Sequence, residues 1–321
     1  MLTFILRRLI ATIPVMGVVA LFVFLLLHLS PGDPATVIAG DYASPADIAR
    51  IRAQLGLDQP LYIQFTNWLV QLSRGDLGIS IFSNLPVSQL ILQRVEPTLS
   101  LALLTLFIAI FVAVPLGILA AWKAGTWIDR TVMAFSVLGF STPVFVLGYA
   151  LIYVFALKLG LFPVQGFVSV SDGLMPFLHR LILPSITLSV IFIALFARIT
   201  RASILEILNE DYIRTARAKG LGDPSILSRH ALPNAAVPII TVIGIGFALL
   251  IGGVVVTESV YNIPGLGRLT VDAVLRRDYP VIQGIILVFS VTSCVLESII
   301  FSKMFILLMR ADLIFLLLRQ K

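Results

Sequence analysis

Six stretches of the chain are apolar and about as long as a bilayer crossing requires: Leu9 to Leu29, Thr98 to Ala121, Thr131 to Leu157, Leu181 to Ala197, Ala235 to Thr257 and Val281 to Phe301. Crossing about 30 Å of hydrocarbon at 1.5 Å per helical residue takes about 20 apolar residues. The fourth run is short and is expected to begin a little earlier. Only 12% of the 321 residues are charged, about half the share of an ordinary water-soluble domain. The mean hydropathy is +1.03. These features predict an all-α membrane protein with six transmembrane helices.

Basic residues orient the bundle. With the N-terminus inside, the inner segments carry Arg7, Arg8, Lys123, Arg130, the six Lys and Arg of residues 198–233, and four more after the last run. The short outer segments carry Lys158, Arg180, Arg268, Arg276 and Arg277. An excess of Lys and Arg on one side marks the cytoplasmic face, and long loops count little. The prediction is a cytoplasmic N-terminus and a long extracytoplasmic loop, residues 30–97, after the first helix. The net charge of +6 is spread over these flanks, so it marks orientation rather than nucleic-acid binding. The first run, 21 residues long and leading into HLSPGDP, lacks a small-residue cleavage site and reads as a retained span.

The outer loop carries order of its own. SPGDP ends the first helix, Ser44 to Asp47 read as the cap and first turn of IARIRAQLGL, and LYIQFTNWLVQL sets Phe65, Leu69 and Leu72 on one helical face. A small extracytoplasmic cap over the bundle is expected, with contact to a soluble partner as the alternative. Within the spans, Pro115, Pro143, Gly139, Gly148, Gly244, Gly246, Gly252 and Gly253 fit a pathway that opens and closes, or equally tight helix packing.

Several chemistries find no residues here. Cys294 is the only cysteine, and His28, His179 and His230 lie far apart, so neither a disulfide framework nor a metal-ligand spacing exists. No G-x-x-x-x-G-K-[ST] occurs, so the chain lacks a P-loop of its own. No acidic residue sits inside the spans before Thr257, which argues against an ion-coupled carrier built on intramembrane carboxylates. No catalytic cluster is visible at either face. The energy source is left unexplained at this point.

Residues 198–233 are the informative loop. RITRASILEILNEDYIRTARAKGL reads as helix, with Glu210 and Arg214 as an i,i+4 pair. The GLGDPS run breaks it, Pro224 suits the first turn of a new short helix, and SILSRHAL leads to Pro233 and the fifth span. A helix this short is unstable alone, so it is expected to dock against something. A solvated hairpin is the plain alternative.

This loop resembles the cytoplasmic coupling loop of the membrane subunits of binding-protein-dependent ABC importers. That family's pattern is Glu-Ala-Ala, three residues, Gly, nine residues, Ile-x-Leu-Pro. Ala216, Gly220, Leu232 and Pro233 match it, whereas Arg214, Thr215 and His230 stand at the Glu, first Ala and Ile positions. ARAKGL, RHALPN, LGLDQPLYIQFTNWL, RGDLGIS, TPVFVLG, TRASILE and ESVYNIPGLGRLTVDAVLRRDYPVIQG resemble successive blocks of the first permease subunit of the dipeptide, oligopeptide and nickel branch, over roughly residues 4 to 292.

The resemblance implies a permease subunit of a bacterial inner-membrane peptide importer, with nickel, glutathione or a secondary transporter as alternatives. It implies two ATP-binding partner subunits that hold the ATP, a second homologous permease and a periplasmic solute-binding protein. No cofactor is implied in this chain, and no nucleic acid. Ala216, Gly220, Asp223, Leu232 and Pro233 would form the ATPase-coupling loop, and Pro143, Gly148 and Glu258 are candidates for gating or pathway.

The implied organisation is a first helix with its cap over residues 1–97, a five-helix core over 98–301 containing the loop 198–233, and an atypical tail over 302–321. Branch members usually end in a polar stretch with Asp-Pro-Arg; here MFILLM and LIFLLL follow instead. A C-terminal replacement through a change of reading frame is the expectation, with Glu297 disturbing the end of the sixth span.

Overall fold

The structure is a computed structural model and describes residues 2–29, 35–36, 44–54 and 57–295. SPGDP, Glu297 and the tail 302–321 lie outside the described residues. Among the described residues the regular secondary structure is helical, apart from one antiparallel bridge between Ile79 and Pro86. The helices are α1 (Leu2–Leu29), α2 (Pro45–Gln54), α3 (Leu61–Ser73), α4 (Val87–Trp122), α5 (Trp127–Ser141), α6 (Val144–Leu151), α7 (Leu174–Leu208), α8 (Asp211–Ala218), α9 (Leu232–Val260), α10 (Leu266–Arg276) and α11 (Tyr279–Val295).

Three helical segments are long and apolar enough to cross a membrane, Val87–Trp122, Leu174–Leu208 and Asp223–Leu250, and α5 with α6 makes a fourth if the bent pair is one crossing. The first and last apolar runs give the shorter described stretches Ile10–Leu26 and Tyr279–Val295. The third run is not one straight helix. Its two halves, Trp127–Ser141 and Val144–Lys158, meet at 102°. Proline explains the break: Pro143 has no N–H to give the preceding turn, and it drives the residue before it into extended backbone. Thr142 indeed sits at φ −83°, ψ 123°.

The chain falls into two compact units. The first comprises Met1–Glu96 and Gly265–Cys294. Its core gathers Val87, Ile91, Leu266, Leu269, Val281 and Ile285. The helices expected from IARIRAQLGL and LYIQFTNWLVQL are present as α2 and α3, and the predicted face of α3 is used, with Phe65 set edge-on to Phe24 at 5.1 Å. Helix α10 ends at Arg277 in the left-handed region (φ 57°), where the Asp278 N–H donates to Ala273 O at 2.8 Å. The buried Asp278 carboxylate then accepts from Ser80 Oγ at 2.6 Å and from the Ile81 N–H at 3.2 Å, which pins the 78–87 turn.

The second unit, Pro97–Pro264 with Val295–Lys321, is organised around α7. Its core includes Leu101, Leu181, Leu188, Phe196, Leu250 and Tyr261. Small residues set how closely the helices approach. A Cβ added at Gly246 would lie 2.5 Å from Phe196 Cζ, and one at Gly139 would lie 2.9 Å from Val190 Cγ1. At these two positions tight packing is what the glycine serves.

Candidate functional site

The segment between α7 and α9 is folded. Helix α7 stops at Leu208, where Asn209 and Asp211 favour turns and caps over helix interiors; Glu210 turns extended (φ −69°, ψ 147°) and Asp211 opens α8. An acidic residue in that first turn faces the positive end of the helix dipole. The continuous helix expected from RITRASILEILNEDYIRTARAKGL is therefore two. The ion pair differs as well: Arg214 Nη1 reaches Asp211 Oδ1 at 3.1 Å, one turn away on the same short helix, and not Glu210, whose extended backbone stands outside the helix.

Gly220 terminates α8 with φ 82°. The Gly220 N–H donates to Arg217 O at 2.9 Å and the Leu221 N–H to Ala216 O at 3.2 Å. This is the paired arrangement of a helix ending on a left-handed glycine, in which the following apolar residue folds back on the helix. Leu221 does so, packing with Ile207 and Leu208 against buried Ile213, Ala216 and Ile226. An eight-residue helix that could not stand in water is thus held by its own small core. The opposite face shows Tyr212, Arg214, Arg217 and Lys219 to solvent.

Asp223 starts the next helical turn, with Pro224 in its first positions. Its carboxylate accepts the Trp122 indole N–H at 3.2 Å and lies 3.9 Å from Arg217 Nε. The expected stop at Pro233 is absent. The turns Asp223–Ser225 and Ile226–Ala231 run straight into α9. The second of these is a wider π-helical turn, and one such turn absorbs the hydrogen bond that a proline cannot donate. Pro233 is exposed as the second residue of α9, while Leu232 packs with Ala121, Ile204 and Ala235.

The three candidates for gating or pathway part company. Pro143 is exposed at the α5–α6 bend. Gly148 is buried, and a Cβ there would come within 3.2 Å of Val260 Cγ1 and 3.4 Å of Thr187 Cγ2. Glu258 is fully buried and accepts from Thr98 Oγ1 at 2.6 Å. Three residues on, the Tyr261 hydroxyl lies 2.7 Å from Thr187 Oγ1 and 3.4 Å from Gly148 O. Gly148 and the end of α9 therefore share one buried cluster, and Pro143 stands apart from it.

The sequence reading passed over Thr98, Thr187, Tyr261, Trp122, Asp129 and Arg201. Only the last two carried a signal, as charges of opposite sign near the same predicted inner ends of spans. Asp129 and Arg201 do meet, with Nε–Oδ1 at 2.5 Å and Nη2–Oδ2 at 2.7 Å.

Long apolar helices joined by a folded polar loop define a polytopic helical membrane protein. Comparison with known proteins gives the family. The chain belongs to the binding-protein-dependent transport system inner membrane components: that family's model matches residues 113–311, and the model of the N-terminal region of such membrane components matches residues 1–102. It is a multi-pass permease component of the inner membrane. It is 54% identical over 287 residues to the probable peptide ABC transporter permease protein of Sinorhizobium fredii, covering 89% of this chain and 92% of that one. Identity to the putative peptide transport system permease protein of Brucella abortus is 48%, covering 89% and 91%. To the glutathione transport system permease protein of Escherichia coli it is 44% over 300 residues, covering 94% and 95%. Among solved structures, the inward-facing methionine ABC transporter matches with a TM-score of 0.57 at 19% identity, over 68% of this chain and 97% of that one. That likeness concerns the fold.

Proposed function

We propose that the chain is one of two permease subunits of an ATP-driven importer of peptides, with six spans and a cytoplasmic N-terminus, and that residues 198–233 dock a separate ATPase subunit. The observation that carries this reading is the loop's own architecture. A short helix seated on buried Ile213 and Ala216 turns at Gly220 and passes without a break into a long apolar helix, leaving a basic face exposed. Such a unit is stiff enough to move as a body, and a rigid element between two helices is what an external motor needs to switch a bundle between states. In this reading ATP is held by the two ATPase subunits, a second permease completes the bundle, and a periplasmic binding protein delivers substrate to the outer side. Ala216, Gly220, Asp223, Leu232 and Pro233 build the docking element; Gly148 and Glu258 belong to the outer cluster, and Pro143 to the bend.

Peptide as the substrate class follows from the relatives in Sinorhizobium fredii and Brucella abortus. Glutathione is the second reading, favoured by the Escherichia coli relative. The test is to tag the chain, purify it gently from its native membranes, and identify what accompanies it, beside a Gly220→Val control. Recovery of an ATPase subunit and a second permease with the unaltered chain, with the ATPase lost from the control, is the expected result. Recovery of the chain alone refutes the reading. Uptake of labelled dipeptide against labelled glutathione in membrane vesicles then separates the two substrates.

A further inference from the structure

The turn between α4 and α5 is gripped from two sides. On one side Trp122, the last residue of α4, donates to Asp223 Oδ2 in the loop at 3.2 Å. On the other side Asp129, in the first turn of α5 and only 4% exposed, takes both arms of the Arg201 guanidinium and the Gly125 N–H at 2.9 Å. A two-armed guanidinium–carboxylate pair fixes angle as well as distance.

Arg201 stands about two helical turns before the end of α7, where Leu208 packs on the small core under α8. Helix α5 is held along its length by a narrow strip: Asp129 and Ser136 are its buried residues. Its far end is the 102° bend at Pro143. The loop therefore bonds both ends of the α4–α5 turn, Trp122 at the end of α4 and Asp129 at the root of α5, and α5 runs from that root to the one sharp break in an apolar segment among the described residues.

We infer that Asp129–Arg201 and Trp122–Asp223 together form a strut that carries movement of the loop into α5 and its bend. These four are then positioning residues for transport. The inference rests on the coupling role of the loop proposed above. A bond serving stability alone has no need of the fork, since buried ion pairs are often replaceable by apolar packing at no loss. A strut does need it, because a single flexible contact transmits no torque.

The test uses the assembled complex in proteoliposomes, with peptide uptake and ATP hydrolysis measured in the same sample. Arg201→Lys keeps the charge and loses the fork. Trp122→Phe keeps an aromatic side chain and removes the N–H donor, at a site 41% exposed where folding has little at stake. Each is expected to leave hydrolysis within about twofold and to lower uptake per ATP by about fivefold, the weight of one net hydrogen bond. Because the two bonds act on one body, the double variant should fall less than the product of the single effects. The reversal Asp129→Arg with Arg201→Asp should recover part of what Asp129→Asn loses.

Unchanged uptake per ATP in Arg201→Lys and Trp122→Phe overturns the inference while leaving the coupling loop in place. So does a proportional fall of uptake and hydrolysis with loss of assembled complex, which marks a purely structural pair. If no ATPase subunit accompanies the unaltered chain, the coupling reading fails, and the strut with it.

Discussion

The Tyr261 hydroxyl and Thr187 Oγ1 lie 2.7 Å apart, deep in the second unit, with Tyr261 only 1% exposed. Thr187 also donates to Leu183 O at 2.9 Å, so one hydroxyl bonds back to the preceding turn of its own helix and serves the tyrosine as well. Removing the phenolic oxygen leaves no orphan, because Thr187 retains its carbonyl. Tyr261→Phe is therefore expected to cost about 1 kcal/mol, whereas Tyr261→Ala, which empties a ring-sized space, should cost about 3–5 kcal/mol. The apparent melting temperature of the detergent-purified chain should separate the two by several degrees. Equal behaviour would mean that the ring contributes nothing to packing.

Glu258 raises a related point with a different chemistry. A fully buried acceptor for Thr98 can be replaced by glutamine with little loss of shape, since an amide oxygen accepts as a carboxylate does. Glu258→Gln should accumulate in the membrane near the natural level. Glu258→Leu removes the acceptor and should destabilise by about 1–3 kcal/mol, seen as reduced accumulation and easier proteolysis. If leucine is tolerated as well as glutamine, the bond has no structural weight.

At Gly220 the obstacle is backbone and not space. Nothing lies within 4 Å of an added Cβ, yet φ is 82°. A β-branched residue there costs about 2 kcal/mol of strain, and helix α8 would tilt to relieve it. Gly220→Val should leave the amount of membrane protein unchanged and lower ATPase recovery about thirtyfold. Gly220→Asn, which accepts the left-handed region more readily, should retain most of it. Quantifying the co-purified ATPase against the tagged chain decides the matter.

Gly246 behaves in the opposite way. Its backbone is ordinary helix, but a Cβ would stand 2.5 Å from the Phe196 ring. Gly246→Ala should cost about 1–3 kcal/mol through overpacking, and Phe196→Leu in the same chain should return part of it. A single alanine variant with full thermal stability would contradict the close approach of α7 and α9.

The membrane class, the helical content and the loop's breaks at glycine were legible because they follow from hydropathy and from local backbone preference, which a sequence displays directly. The bend at Pro143 was half legible. Proline was visible inside the third apolar run, but prolines at 97, 115, 184 and 238 remain inside helices, so the residue type alone does not say which one breaks. The pairing of Asp129 with Arg201, of Thr187 with Tyr261 and of Thr98 with Glu258 was hidden because each joins residues more than seventy positions apart. Such contacts depend on which helices become neighbours, and periodicity within one helix carries no information about that. The exchange of partner at Arg214 has a smaller cause: Glu210 was read as a helical side chain, and its backbone had already left the helix.

Helix α7 has 35 residues, about 52 Å at the standard rise, against a hydrocarbon layer of about 30 Å. Its apolar run closes at Ala197, and the stretch from Arg198 to Leu208 extends it by about 16 Å, packed through Ile204, Leu205, Ile207 and Leu208 on Ala121, Leu227 and Ile226. A motor subunit that docks on α8, as proposed above, would then grip this packed extension of the bundle and not the membrane surface. Lipid charge and thickness would change how the bundle sits in the bilayer while leaving the grip itself alone.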